Sequence, residues 1–325
     1  MKIHFECSPK TRPSMQFDAK AVDAVLAKTP GLADGLEFTF NSDPAQSDAY
    51  LADADVLVVS NPVDLSGLDH RAPKLRWAQV MSAGVEKVIA HIPDTVQFTN
   101  ARGAHTARAG EFGITTLLML NNRIPAFATQ QRERVWKQSP QAIVAGKTVT
   151  ILGLGALGSA SAKWAKLFDM RVVGVTRSGR PHEHADEVHG MDGMAAAFEK
   201  SDFVLITLPL TPETKGLVSR EMLDRLPAHA GVINIGRAEV MDYDALADKL
   251  RDGSLSGAVL DVFPKEPLPE SSPLWSVPNL FLTPHSGLDD PESFAINCLE
   301  IFAENLEAFK AGAPLKTPVD KAAGY

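Results

Sequence analysis

Three ionisable side chains follow three apolar runs near the end of the chain. Asn234-Ile235-Gly236-Arg237 closes the run Gly231–Ile235. Asp261-Val262-Phe263-Pro264-Lys265-Glu266-Pro267 follows Gly257–Leu260, and Thr283-Pro284-His285-Ser286-Gly287 follows Asn279–Leu282. Arg237, Glu266 and His285 are therefore 29 and 19 residues apart, each just past a strand-like segment. An imidazole titrates near neutrality and can give or take a proton. A carboxylate bonded to it fixes its orientation and favours its protonated form. A guanidinium grips a carboxylate through paired bonds and polarises a neighbouring carbonyl. Such a set suits reduction of a ketone that carries a carboxylate: hydride arrives at carbon, charge develops on oxygen, and a proton must be delivered. Any one of these residue types is more often solvated or packed. It is their recurrence at successive strand ends, where ligands sit in a doubly wound sheet, that points to catalysis.

A second feature supplies the hydride carrier. Thr150-Ile151-Leu152-Gly153-Leu154-Gly155-Ala156-Leu157-Gly158-Ser159 is a G-x-G-x-x-G with an apolar strand before it and an Ala-rich helical stretch, 159–168, after it. In that setting Gly153 permits the tight turn, Gly155 lets backbone approach a pyrophosphate, and Gly158 permits close helix–strand packing. A glycine-rich turn that only packs is the plainer alternative. The next strand, 171–175, ends in Thr176-Arg177-Ser178. An NAD-binding unit usually has Asp or Glu there for the ribose hydroxyls. Donors without a carboxylate suit a 2′-phosphate, so NADP(H) is the expected cofactor, with NAD(H) still possible. The alternative for Arg177 is plain exposure to solvent.

The elements that must position these residues can be read from periodicity. Strand patterns at 2–7, 36–40, 55–60, 75–80 and 96–99 alternate with helical or turn segments, and residues 2–7 look like an edge or half-buried strand. One long helix is expected from His105 to Asn121, ended or bent at Asn122-Arg123-Ile124-Pro125, followed by a polar stretch, Gln130–Gln141. Six further strands, at 148–152, 171–175, 203–207, 231–235, 257–260 and 279–282, predict a doubly wound sheet. A helix over Pro291–Lys310 closes the chain, with Phe294, Ile301, Phe302, Leu306 and Phe309 on one side.

Composition narrows the class. A chain of 325 residues exceeds one typical core and suggests two domains. With 45% hydrophobic and 22% charged residues it is globular rather than disordered. A net charge of −8 argues against nucleic-acid or anionic-membrane partners. The longest apolar stretch, near Ile114–Leu120, is far below the about 20 residues of a membrane helix. Cys7 and Cys298 make no disulfide framework and, with an acidic N-terminus unlike a signal peptide, fit a cytoplasmic location. His182, Glu183, His184 and His189 lack a metal-ligand spacing, so no metal is expected.

Over nearly its whole length the chain resembles the D-isomer-specific 2-hydroxyacid dehydrogenase family. The resemblance is carried by the glycine motif, Leu208-Pro209-Leu210-Thr211-Pro212-Glu213-Thr214, the Gly236-Arg237 pair, Asp261-Val262-Phe263-x-x-Glu266-Pro267 and Pro284-His285. It implies two doubly wound α/β domains: a dinucleotide-binding domain, 101–286, inserted into a discontinuous flavodoxin-like substrate domain, 1–100 plus 287–325. It implies that Arg237 binds the substrate carboxylate and carbonyl, that His285 is the acid–base, and that Glu266 orients His285. Asp261 would hold the nicotinamide carboxamide, unless it merely caps a turn. The implied cofactor contacts extend to Ala156, Leu157, Leu208, Pro209, Thr214, Ile235, Gly236, Arg237 and His285. Met81-Ser82-Ala83-Gly84-Val85 is similar to the family's substrate loop, in which backbone N–H groups of Ser82, Ala83 and Gly84 would hold a carboxylate; a simple turn is the alternative. Glu86 stands where relatives often have Asp. Trp136 and Trp275 could wall the pocket or simply pack. Helix 104–120 resembles the element that pairs subunits, which implies a homodimer. The favoured activity is glyoxylate/hydroxypyruvate reduction, with larger branched or aromatic 2-keto acids, or a cofactor-sensing corepressor, as alternatives.

Overall fold

The computed structural model describes every residue except 12–15, 61 and 325. The chain divides into two compact units, Met1–His105 with Asp290–Tyr325, and Thr106–Asp289.

In the first unit β1 (Lys2–Glu6), α1 (Ala19–Leu26), β2 (Glu37–Asn41), α2 (Ser47–Leu51), β3 (Val56–Val59), α3 (Leu68–Arg71), β4 (Trp77–Val80) and β5 (Gln97–Thr99) follow in order. The strands form a parallel sheet ordered β2-β1-β3-β4-β5, the flavodoxin-like arrangement. The strand at 2–7 is thus neither an edge nor half-buried. It pairs with β2 and β3, and both of its faces are covered. Its polar residues produced the misleading alternation. They are buried because they satisfy each other: His4 Nε2 lies 2.7 Å from Glu6 Oε2, and Ser47 Oγ and Asn41 Nδ2 donate to Glu6.

The second unit runs through α4 (Thr106–Asn121), α5 (Ile124–Glu133), β6 (Thr148–Leu152), α6 (Ala156–Leu167), β7 (Arg171–Val175), β8 (Glu187–His189), α7 (Met194–Phe198), β9 (Phe203–Ile206), α8 (Arg220–Leu223), β10 (Gly231–Asn234), α9 (Tyr243–Asp252), β11 (Gly257–Leu260) and β12 (Leu280–Leu282). Its strands are parallel, in the order β12-β11-β10-β9-β6-β7-β8. There are seven of them rather than the expected six. β8 is three residues of a polar edge, Glu187-Val188-His189, too short and too hydrophilic to stand out in the sequence. The first residues of the polar stretch, 130–133, lie in a helix, α5. The long helix does end at Asn121, and Pro125 lies in the first turn of α5, where a missing N–H costs nothing. Helix α6 starts three residues earlier than expected because Gly155 itself is its N-cap. Both faces of this sheet are covered: Val149 and Ile151 enter one apolar cluster and Leu152 the other.

The last helix, α10 (Phe294–Lys310), belongs to the first unit, where Phe302 stacks on Trp77 with centroids 5.4 Å apart. It begins at Phe294, not Pro291. Asp290 accepts from the backbone N–H groups of Glu292 and Ser293, which holds those residues in a turn. Among the described residues no helix is long and apolar enough to cross a membrane.

Candidate active site

The second unit gathers His285, Glu266 and Asp261 beyond the carboxyl ends of neighbouring strands. His285 Nδ1 lies 2.7 Å from Glu266 Oε2, and the other carboxylate oxygen, Oε1, accepts from the Phe263 backbone N–H at 2.9 Å. An ionised Glu266 is acceptor-only, so Nδ1 carries the donated proton and Nε2 is the ring atom left for a reacting group. Both side chains remain partly open, 45% exposed for His285 and 36% for Glu266, as a group that must meet a substrate requires.

His285 has φ +47°, a left-handed conformation that costs a residue with a Cβ about 1 kcal/mol or more. Asp261 holds it there. Its buried Oδ1 accepts from Thr283 Oγ1 at 2.6 Å, Ser286 N at 3.1 Å and Gly287 N at 3.0 Å, clamping the backbone on both sides of His285. The turn-capping alternative for Asp261 is therefore what its Oδ1 does. Oδ2 is buried without a protein partner, an orphan acceptor that suits an amide donor such as a carboxamide. Burial pushes the Asp261 carboxyl above its ordinary value, opposed by the bonds from Thr283, Gly287 and Ser286 and by the charge of His285.

That shift has a sign that can be measured. A raised carboxyl in the folded state contributes stability that is fully present below the unfolded value, 3.8, and is lost as pH rises through the folded one. Asp261→Asn keeps an acceptor for the three donors and removes the charge. The melting temperature of the wild type should fall relative to the variant as pH rises from roughly pH 4 through the raised folded-state value of Asp261. Parallel curves in thermal melts would contradict the buried-charge assignment.

Arg237 follows β10 in extended conformation and is half-buried. Its Nη1 donates to Gly236 O at 2.8 Å, and its own carbonyl accepts from Asn234 Nδ2 at 3.0 Å. Ile235 is bonded to Ile206 O and is buried. A Cβ on Gly236 would come within 2.6 Å of Leu208 O, so only glycine lets the two loops meet. Thr214 Oγ1 donates to Pro209 O at 2.7 Å and shapes the turn that carries Leu208 and Pro209.

The glycine turn fits a dinucleotide. Gly153 has φ +90°. A Cβ on Gly158 would lie 1.9 Å from Gly153 O, whereas one on Gly155 would meet nothing within 4 Å. Gly158 thus closes the helix onto the strand, and Gly155, with Ala156 and Leu157 at the start of α6, leaves open space where a phosphate needs it. At the end of β7, Arg177 and Ser178 are exposed and Thr176 is half-buried, its Oγ1 accepting from Gly179 N at 3.0 Å. The nearby Glu213 carboxyl is held below its usual value, first by the Thr211 hydroxyl and in small part by Arg177.

In the first unit Ser82, Ala83 and Gly84 follow β4 and are half-buried. Ser82 Oγ donates to Gly84 O at 2.7 Å and Asn100 Nδ2 to Ala83 O at 2.8 Å, so this loop is braced through its carbonyls. Trp136 is 93% exposed and Trp275 51%, the latter donating to Pro269 O; neither packs as a wall within its own unit. His182, of the rejected metal cluster, instead bonds Ser159 Oγ at 2.9 Å. Burial raises both Cys7 and Cys298 thiols.

The sequence reading assigned no role to four residues that hold this site. Thr207 Oγ1 donates to Gly153 O at 2.7 Å; Thr283 bonds Asp261; Tyr243 and Asn234 form a buried pair at 3.2 Å. For Thr207, Asn234 and Thr283 a polar side chain inside or beside an apolar strand was the available signal; Tyr243 opens α9 and carried none.

Comparison with known proteins shows the family and the fold. Residues 114–287 match the family described as D-isomer specific 2-hydroxyacid dehydrogenase, NAD binding domain. The chain is 36% identical over 258 residues to glyoxylate/hydroxypyruvate reductase B of Pectobacterium carotovorum, covering 75% of this chain and 79% of that protein. It is 33% identical over 293 residues to hydroxyphenylpyruvate reductase of Plectranthus scutellarioides, covering 87% and 91%. The crystal structure of NADPH-dependent glyoxylate/hydroxypyruvate reductase from Sinorhizobium meliloti, in complex with NADP and sulfate, superposes with a TM-score of 0.82 at 29% identity, covering 100% of this chain and 99% of that one.

Proposed function

This chain belongs to the D-isomer-specific 2-hydroxyacid dehydrogenase family, and on that premise we propose that it reduces a small 2-keto acid of the glyoxylate or hydroxypyruvate type with NADPH. The observation that carries the proposal is the His285–Glu266 pair at 2.7 Å, with Glu266 pinned by a backbone amide. The bound dinucleotide supplies the hydride. Arg237 holds the keto acid by its carboxylate and polarises its carbonyl. His285 delivers a proton from Nε2 to the carbonyl oxygen, and Glu266 keeps the imidazole turned and charged for that step. Asp261 keeps the His285 turn in place and offers Oδ2 to the carboxamide. The backbone of Ser82, Ala83 and Gly84 is the proposed second hold on the substrate carboxylate.

The preference for NADPH rests on Thr176, Arg177 and Ser178, and on the absence of a carboxylate among them. The Sinorhizobium enzyme, described as NADPH-dependent, supports it. The test is kcat/KM with NADPH and NADH for glyoxylate, hydroxypyruvate and larger 2-keto acids. NADPH should be favoured, and Arg177→Ala should cut its advantage by about tenfold while leaving NADH nearly untouched. A clear NADH preference in the wild type overturns the cofactor proposal. The similarity to a hydroxyphenylpyruvate reductase favours an aromatic 2-keto acid as second reading, so 4-hydroxyphenylpyruvate belongs in the panel. Failure to turn over any of them would leave a cofactor-sensing binding protein. A cytoplasmic homodimer completes the proposal. The exposed apolar side chains Phe127, Val135, Trp136 and Ile143, clustered just after α4, support self-association.

A further inference from the structure

Between the Arg237 and His285 segments runs an unbroken chain of hydrogen bonds that no catalytic side chain explains. Asn234, wholly buried at the end of β10, donates one Nδ2 hydrogen to Arg237 O at 3.0 Å and the other to Tyr243 Oη at 3.2 Å. Its Oδ1 accepts from Gly236 N at 3.0 Å. Tyr243, the first residue of α9 and buried, donates its hydroxyl to Val262 O at 2.7 Å. That carbonyl belongs to the same peptide group as the Phe263 N–H, which donates to Glu266 Oε1, whose carboxylate holds His285 through Oε2. Each acceptor is thus itself polarised as the next donor, and bonds in such a series reinforce one another.

We propose that Tyr243 is a positioning residue for the reaction: through the Val262–Phe263 peptide it fixes the Glu266 carboxylate on His285, and through Asn234 it ties that pair to the Arg237 segment. The inference rests on the roles proposed above for Arg237, Glu266 and His285. Tyr243 touches neither substrate nor cofactor in this scheme. The charged groups whose fields reach its hydroxyl are Glu239, Glu266 and Asp261, all acidic. Together with burial, the largest cause, they raise the hydroxyl well above its ordinary value, so it stays a donor throughout the working pH range. Around the pair itself, His285 faces Glu266 and Asp261. A peptide no longer held at Val262 O can rotate its N–H away from Glu266. The carboxylate then loses its anchor and the imidazole its partner.

Tyr243→Phe removes the hydroxyl and keeps the ring. In keto-acid reduction, which needs protonated imidazole, kcat/KM should fall about tenfold, and the alkaline limb of its pH profile should move toward lower pH. Dinucleotide affinity, from fluorescence titration, should stay within about twofold. Exchange of the Phe263 amide hydrogen should quicken about tenfold or more. A purely structural tyrosine would lower the folded fraction but leave the pH profile of the folded enzyme in place, and that result overturns the proposal. Should the Phe variant fail to fold, Asn234→Ala removes the donor that orients the Tyr243 hydroxyl, and faster exchange of the Phe263 amide is the readout expected of it. The amide-exchange arm needs no turnover. A wild type inactive on all 2-keto acids would refute the proposed function, whereas an active enzyme with unchanged profile and exchange would refute only the role of Tyr243.

Discussion

His285→Ala should lower kcat for 2-keto acid reduction by about 10²–10⁴-fold, the range expected for loss of a positioned general acid. The dinucleotide dissociation constant should change by less than about threefold, since in the proposed scheme its phosphates would meet the glycine turn and not the imidazole. The separation follows from the geometry. Glu266 Oε2 and the Asp261 clamp fix the ring at Nδ1 and the backbone at residues 283–287, so every support of His285 serves the direction of Nε2. Alanine at 285 also relaxes a left-handed backbone position only slightly, because it too carries a Cβ; the loop should stay folded and the loss should be chemical. NADPH absorbance under saturating substrate gives kcat, and fluorescence titration gives the affinity. A variant that retains more than about a tenth of wild-type kcat would remove His285 from the proton-transfer step.

How much of this was legible beforehand depended on the kind of constraint. The glycines of the turn were visible because their requirement is absolute: at Gly158 a Cβ would overlap a carbonyl oxygen at 1.9 Å, and no packing change relieves that. The apolar runs of the second sheet were visible because both faces are covered, so Val, Ile and Leu recur without alternation at β7, β9 and β10. β1 was misplaced for the converse reason. His4 and Glu6 are polar by type and buried by pairing, and pairing between residues two apart cannot be inferred from hydrophobicity. β8 was missed because an edge strand of three residues needs only a neighbour, β7, and no pattern of its own.

Within the site, Arg237, Glu266 and His285 stood out as charged residues after apolar strands. The residues that steady them did not. Asn234 sits inside a strand, Tyr243 opens a helix whose own pattern accounts for it, and Thr283 resembles any strand-end hydroxyl. Their roles arise only when β10, β11 and β12 are neighbours in a parallel sheet, as their registers place them. Asp261 lies between the two cases. Its type suggested both a turn cap and a ligand for an amide, and its two oxygens divide those roles, Oδ1 bonded three times and Oδ2 orphaned.

Arg237→Ala should cost about 10²–10³ in kcat/KM for the keto acid, through KM and kcat together. Both constants should move because the proposed scheme gives the guanidinium two tasks. Its grip on the carboxylate exists in the ground state and sets KM, whereas its attraction for the carbonyl oxygen grows as charge develops there and sets kcat. Arg237→Lys separates them: a single ammonium restores charge without the fork, so part of kcat should return while KM stays high. The Arg237 backbone is held by Asn234 and by the contact of Gly236 with Leu208, neither of which uses the guanidinium, so dinucleotide affinity should survive both changes. The sharpest comparison uses a ketone substrate without a carboxylate. That compound has already forfeited the ground-state contact, so Arg237→Ala should penalise it less than it penalises glyoxylate or hydroxypyruvate, by about tenfold or more in kcat/KM. Equal penalties on the two substrates would mean that Arg237 does not hold the carboxylate.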